Sequence, residues 1–381
     1  LGFLEQANEF LLEGTEFAFG FEDVSAYGRS LVKFLAEQGH LVKHVNASLV
    51  ASERNSRNVL MKTDSIDAEC VARVLLNRFD ELPIANPSDK LWTLKSLVAR
   101  RESQVKINVI LKNHLHTLIY ETYPSYHCFF TDVSCLSALA FYEAYPSPSC
   151  LMESSLEELT DLLKSASRGL VGEKKALQIW NAVEQDRVMP SEYEATRNVT
   201  IRSTVAQLRL SVEGIKTLED ELSFFLDFFD YPLTSMKGID TVTAAKIIAE
   251  IGDINRFRSA GALASYAGVA PVTYASGMTN IQYANKRGNR ILNEIFFRLA
   301  MGFTCLRGTQ KVAVNPFFYD YYHQKLAEGK TKKQALKCVQ RRLVNIIYNM
   351  MKHKEHYINP PVSFPERDKL LESKKHQASF H

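Results

Sequence analysis

Cysteine pairing, long apolar runs and excess charge of either sign are what this sequence lacks. The six cysteines, at positions 70, 128, 135, 150, 305 and 338, form no C-x-x-C pair and no zinc-ligand spacing. They read as reduced thiols, with neither a disulfide framework nor a zinc finger behind them. No apolar run approaches the roughly 18 residues that cross a bilayer, and the opening residues carry no signal-peptide pattern, so a soluble cytoplasmic protein without membrane contact is expected. With 46 Lys+Arg against 43 Asp+Glu the net charge is only +3, so affinity for nucleic acid has to come from local basic patches. An initiator methionine is missing as well. The chain opens "LGFLEQANEFLLEG" inside an amphipathic pattern, as a sequence truncated at its N-terminus would. What is present is ordinary for globular domains: 46% hydrophobic and 23% charged residues, in a chain long enough for two or three cores.

The order of elements begins with a β-α-β unit. "TEFAFGFED" reads as a strand with Phe17, Phe19 and Phe21 in alternation, "GRSLVKFLAEQG" as a helix closed by Gly39, and "HLVKHVN" as a second strand. Glu22 lies at the carboxyl end of the first strand, where open α/β sheets place ligands. A helix from about Ser65 to Leu76 follows, and apolar spacing from Leu91 to Tyr123 predicts a long one that Pro124 ends. Residues 124–150 read as a Pro-, Ser- and aromatic-rich connection. A further long helix carries Ile215, Leu218, Leu222, Phe225 and Phe229 at alternating spacings of three and four. That seam suits either an intramolecular hairpin with the 91–123 helix or a contact between protomers. The segments expected are therefore 1–90, 91–231, 232–360 and a polar tail at 361–381.

Four stretches carry chemistry. In "MKTDSIDAE" Asp64 and Asp67 stand three apart at a helix start, either because the helix dipole favours acidic first turns or because two carboxylates on one face hold a divalent cation. In "MKGIDTVTAAKIIAEIGDINRF" Gly238 precedes an Ala-rich helix, an arrangement like a helix-hairpin-helix turn that offers backbone N–H groups to a DNA phosphate, or else an ordinary helix entry. Ser276-Gly277 falls in a polar loop, followed by Lys286, Arg287 and Arg290 at the opening of an apolar helix. A serine near cations is a candidate nucleophile toward phosphate, while most Ser-Gly pairs are turns. Finally, Lys330, Lys332, Lys333, Lys337, Arg341 and Arg342 line a basic helix after a Tyr/Phe-rich segment, which fits nucleic-acid contact or a solvated face.

The order of these parts resembles the insertion-sequence 110/1111 transposases, also called DEDD transposases or bridge-RNA-guided recombinases. "FGFEDVSAYG" and "KTDSIDAECVARVL" resemble the second half of that family's RuvC-like domain. "GIDTVTAAKIIAEIGDINRF", "ASYAGVAPVTYASG" and "NKRGNRILNEIFFRLA" resemble its C-terminal transposase domain. The resemblance implies an α/β RuvC-like (RNase H fold) domain incomplete at its N-terminus, a long helical, coiled-coil-like middle region, and a mostly α-helical transposase domain with a helix-hairpin-helix-like element. It implies that Glu22, Asp64 and Asp67 are catalytic ligands of Mg2+, and that Ser276 attacks a DNA phosphodiester to form a phosphoserine link. Gly238, Lys286, Arg287, Arg290, Lys332, Lys333 and Arg341 are the expected nucleic-acid contacts. Implied partners are the DNA of element ends and target, a structured guide RNA, and further copies of the chain completing the site in a dimer or tetramer. The implied setting is the nucleoid of a bacterial or archaeal cytoplasm. The family's first acidic residue sits on a strand resembling "xGIDxxK", which has no counterpart here. Two rival readings follow: a decayed transposase that only binds nucleic acid, and a RuvC-like nuclease using water, which has no need of Ser276.

Overall fold

A computed structural model describes residues 2, 5–6, 9, 16–22, 27–57, 61–85, 88–186, 192–276, 279–283, 285 and 288–358. The expected tail at 361–381 lies outside them. Two compact units emerge, one from Leu1–Lys95, Tyr231–Ile239 and Lys246–His381, the other from Ser96–Asp230 and Asp240–Ala245.

In the first unit, strand β1 (Ala18–Phe21), helix α1 (Arg29–Glu37) and strand β2 (Leu41–His44) form the β-α-β unit expected from the phenylalanine alternation, with β1 and β2 parallel and Ala18 opposite Leu41. Gly39 turns the chain between α1 and β2 at φ +84°, a backbone region that glycine enters without Cβ strain. Helices α2 (Ala47–Ser56) and α3 (Asp64–Asn77) come next. Period-two alternation splits the strand residues between two faces. Val32, Leu35 and Val42 form a core with Phe19 and Phe21 against it, while Val45, Val50, Cys70 and Val74 form a second. Gly20 is the reason α3 lies close: a Cβ there would stand 3.0 Å from Val71 Cγ1 and 3.3 Å from Val45 Cγ2. The outer edge of β2 is covered by residues 83–85, through His44 N–H to Pro83 O at 2.9 Å and Ala85 N–H to Val42 O at 2.8 Å. Among the described residues β1 pairs with β2 alone.

The second unit is helical. Most of α4 (Asp89–Thr122), together with α5 (Leu136–Ala144), α6 (Leu156–Ala166), α7 (Glu173–Asp186) and α8 (Glu194–Leu226), surrounds a core in which Tyr123, Phe129, Phe141 and Tyr142 are fully buried. The stretch read as an aromatic-rich connection is therefore core, and it contains α5. That helix is buried on nearly every side, with Leu136 and Glu143 exposed, so no clear helical period marks it. The seam on α8 closes an intramolecular hairpin with α4. Gln104 Nε2 and Asn108 Nδ2 donate to Ser211 Oγ at 3.2 and 3.3 Å, Arg101 Nε donates to Glu219 Oε1 at 3.0 Å, and Leu222 is buried. Of the two readings of that seam, the structure takes the hairpin.

The remainder of the first unit holds the last residues of α9 (Thr241–Ile251), then α10 (Ala260–Tyr266), the antiparallel strands β3 (Val272–Ser276) and β4 (Thr279–Tyr283), α11 (Arg290–Phe303), α12 (Pro316–Ala327) and α13 (Lys332–His353). Thr331 and Gln334 close a capping box at the head of α13. Ala335, Val339, Leu343 and Ile347 are fully buried, so α13 is the central element on which α10, α11 and α12 pack.

Candidate catalytic and nucleic-acid-binding site

Thr63 is the N-cap of α3, its hydroxyl accepting the Ile66 N–H at 3.3 Å, and Asp64 and Asp67 occupy the first turn. The helix dipole favours carboxylates there. Asp64 is exposed; Asp67 is half-buried, with its carboxylate ion-paired to the Arg54 guanidinium of α2. Glu22 is exposed, one residue past β1. Among the described residues no three His, Cys, Asp or Glu side chains gather into a group that could hold a metal ion. The oxygen donors of Asp64 and Asp67 suit Mg2+, which takes one or two carboxylates beside water and phosphate. Asp67 has to leave Arg54 to serve. The fit is thus to a pair of aspartates, with Glu22 outside any converged set.

Ser276 is the last residue of β3, opposite Thr279 of β4, rather than part of a loop. Two residues, Gly277 and Met278, separate the strands, and they lie outside the described residues, as do Lys286 and Arg287. The signal for this hairpin is in the sequence, since the register sets Val272 and Tyr274 opposite Tyr283 and Ile281 and Thr273 opposite Gln282, an alternation on either side of a two-residue connection that contains glycine. Its stem is locked by asparagines spaced every four residues. Asn285 Nδ2 donates to Ser265 O at 3.0 Å. Asn289, the N-cap of α11, gives its N–H to Tyr266 O at 2.7 Å and its amide to Glu250 Oε2 at 2.6 Å. Asn293 Nδ2 reaches Gly268 O at 2.7 Å. Gly268 and Gly288 meet backbone to backbone, and a Cβ on Gly288 would stand 3.0 Å from Ala267 C.

Beside this stem the surface is hollow. A cavity of about 840 Å³ is lined by Tyr283, Asn285, Asn293, Phe297 and Tyr321 together with Lys330, Lys333, Lys337, Arg341 and Arg342. A neighbouring one of about 480 Å³ shares Asn285, Asn293, Phe297 and Lys337 and adds Arg290 and Glu294. Lys337 donates to Gly268 O at 3.3 Å, tying α13 to the segment that leads into β3. Burial pushes the Lys337 ammonium below the usual lysine range. Arg342 lies over the Phe317 and Tyr321 rings, 5.6 Å from each centroid. Of the expected contacts, Lys333, Arg341 and Arg290 line this trough, and Lys332 is exposed on the first turn of α13. Sequence reasoning names Lys337 with the basic helix but misses Asn293 and Phe297 as site residues. The four-residue spacing of Asn285, Asn289 and Asn293 is the signal available for the first.

Gly238 has a packing role of its own. At φ +103°, a Cβ on it would collide with the Phe303 ring and stand 3.1 Å from Val314 Cγ1, so the close approach it permits is to the protein's own core. Phe303 in turn stacks on Phe318 at 5.2 Å. The head of α9 is closed by Asp240, whose carboxylate accepts the Thr243 N–H at 2.7 Å. That puts negative charge where a phosphate was expected.

Two family models match the chain. One, described as the transposase IS116/IS110/IS902 family, covers residues 230–313, and a transposase model of the DEDD, IS110 type covers residues 2–124. Among curated relatives, the insertion element IS116 uncharacterized 44.8 kDa protein of Streptomyces clavuligerus is 28% identical over 337 residues, 87% of this chain and 82% of that protein. The mini-circle putative transposase for IS117 of Streptomyces coelicolor is 24% identical, over 86% of this chain and 80% of its own length. The pilin gene-inverting protein of Moraxella bovis is 30% identical over 122 residues, 32% of this chain and 36% of its own length.

Proposed function

The chain belongs to the IS116/IS110/IS902 family of insertion-element transposases, and from that premise we propose that it cuts and rejoins DNA with Ser276 as nucleophile. In this reading the Ser276 hydroxyl attacks a phosphodiester. A bond forms from its Oγ to phosphorus, a deoxyribose hydroxyl leaves with a proton, and a hydroxyl of the strand to be joined later reverses the step. Mg2+ held by Asp64 and Asp67 would neutralise phosphate charge, while Glu22, expected as a third ligand, does not gather with them among the described residues. Arg290, Lys332, Lys333 and Arg341 contact phosphates, with Lys286 and Arg287 expected to add to them. The observation that carries the reading is that Ser276 ends a strand whose stem is locked beside a trough walled by lysines and arginines.

Sequence choice belongs to a structured noncoding RNA in this proposal, since the sequence has no base-reading module such as a zinc finger. Homo-oligomers complete the site. Support for association comes from apolar side chains left exposed on the α4–α8 hairpin, among them Ile110 at 66% and Leu210 at 70%. No described helix is long and apolar enough to cross a membrane, and the cytoplasm is the proposed setting. The test is strand exchange between plasmids carrying the element's ends and its target. Ser276→Ala is expected to abolish exchange at unchanged thermal stability. Exchange at the wild-type rate would remove Ser276 from the chemistry, and strand cleavage without rejoining by the variant would favour a nuclease that uses water.

A further inference from the structure

Charge on the walls of the larger cavity is one-sided. Five of its described lining residues are Lys or Arg and none is Asp or Glu, in a chain whose total charge is nearly balanced. Such a wall attracts a polyanion. The described floor is of another character, with Val269, Pro271 and Leu336 beside the rings of Tyr283, Phe297 and Tyr321. Phosphates have no use for that surface, whereas unstacked bases do. At about 840 Å³ the cavity falls within the range of about 300–1,000 Å³ that holds one small ligand, the size of a nucleotide or two withdrawn from a duplex.

We propose that the trough between α11 and α13 holds a short single-stranded stretch of nucleic acid, its phosphates on Lys333, Lys337 and Arg341 and a base on Phe297. This rests on the transposase reading for the biological strand, and on cavity geometry alone for the binding. Two residues define the register. Phe297 is exposed on α11 and lines both cavities, which makes its ring the platform at their junction. Lys337 also lines both, and its ammonium is held at Gly268 O, so a phosphate that it contacts lies beside the stem of the Ser276 hairpin. Binding a phosphate there returns to Lys337 the charge stabilisation that burial withdraws.

Fluorescence anisotropy on the full chain tests this, with labelled 12-nucleotide oligo-dT, oligo-rU and a duplex of equal length as probes over a salt series. Phe297→Ala is expected to weaken single-strand binding about fivefold or more, as loss of one stacked base does, at an unchanged salt slope. Lys337→Gln is expected to lower the slope by about 0.7 on single strands. Duplex binding should change little in both variants. Weaker binding of DNA, of RNA or of both supports the trough and says which strand uses it. Unchanged single-strand affinity in both variants, at wild-type melting temperature, overturns the proposal, and so does an equal weakening on the duplex. Ser276→Ala is measured alongside: it should bind like wild type while forming no covalent adduct. A persisting adduct there refutes the nucleophile without touching the trough.

Discussion

Replacing Asp67 by asparagine separates two accounts of the acidic pair. If Asp64 and Asp67 chiefly repel each other, removing one charge stabilises the fold. The structure predicts the opposite. Asp67 is ion-paired to Arg54, and the two side chains are only 19% and 16% exposed. An exposed ion pair contributes about 0–1 kcal/mol, while breaking a buried one and stranding its partner costs about 3–5 kcal/mol. A pair four-fifths covered lies between these limits, and asparagine keeps one oxygen able to accept from Arg54. A destabilisation of about 1–2 kcal/mol is therefore expected for Asp67→Asn. Asp64 is exposed, and Asp64→Asn should cost below about 1 kcal/mol, the scale of a dipole interaction in a first turn. Urea midpoints of the two variants at unchanged slope measure both values. In an Arg54→Gln background the Asp67→Asn cost should largely vanish. A stabilised Asp67→Asn, or an undiminished cost without Arg54, refutes the reasoning. Loss of strand cleavage in both variants is the separate outcome expected of metal ligands.

Gly238→Ala meets left-handed backbone strain of about 1–2 kcal/mol and a collision with Phe303, so a total of about 2–5 kcal/mol is expected by urea denaturation. Wild-type stability with abolished DNA binding would return Gly238 to a phosphate-binding part. Changing Lys332, Lys333 and Arg341 together to glutamine should flatten the salt dependence of nucleic-acid binding by about 0.7–0.9 for each phosphate left without its cation, and an unchanged slope would make these residues a solvated face. Lys337 supplies a pH test. Its folded-state pKa is depressed by burial, so between that value and the ordinary lysine value the unfolded chain binds more protons and stability rises with pH. Lys337→Met should remove that rise in urea midpoints measured from neutral pH to about pH 10; an identical rise in the variant would show that other groups produce it.

Local order is legible where single residues dictate it. Gly39, the phenylalanine alternation and the acidic first turn of Asp64 and Asp67 specify β1, α1, β2 and α3 through backbone conformation and the helix dipole, which neighbours in sequence settle. Residues whose part is set by tertiary contacts are not legible. Leu136–Ala144 is buried on nearly every side and shows no period. The α8 seam fits α4 as well as another chain until Ser211 is seen bonded to Gln104 and Asn108. The packing of Gly238 on Phe303 is not legible either, because the two stand 65 positions apart in the chain. The candidate site divides the same way. Asp64, Asp67 and Ser276 are found by resemblance, Lys333 and Arg341 by charge, but the trough exists only once Asn293 and Lys337 converge on Gly268 from two helices.

The serine reading stands or falls on where DNA becomes attached. The protein would be incubated with DNA carrying the element's ends, trapped under denaturing conditions, digested with nuclease and protease, and analysed by peptide mass spectrometry. The account predicts a nucleotide phosphate on Ser276, absent from the Ser276→Ala protein. A nucleotide on any other residue, or cleaved DNA with no peptide adduct at all, would contradict it.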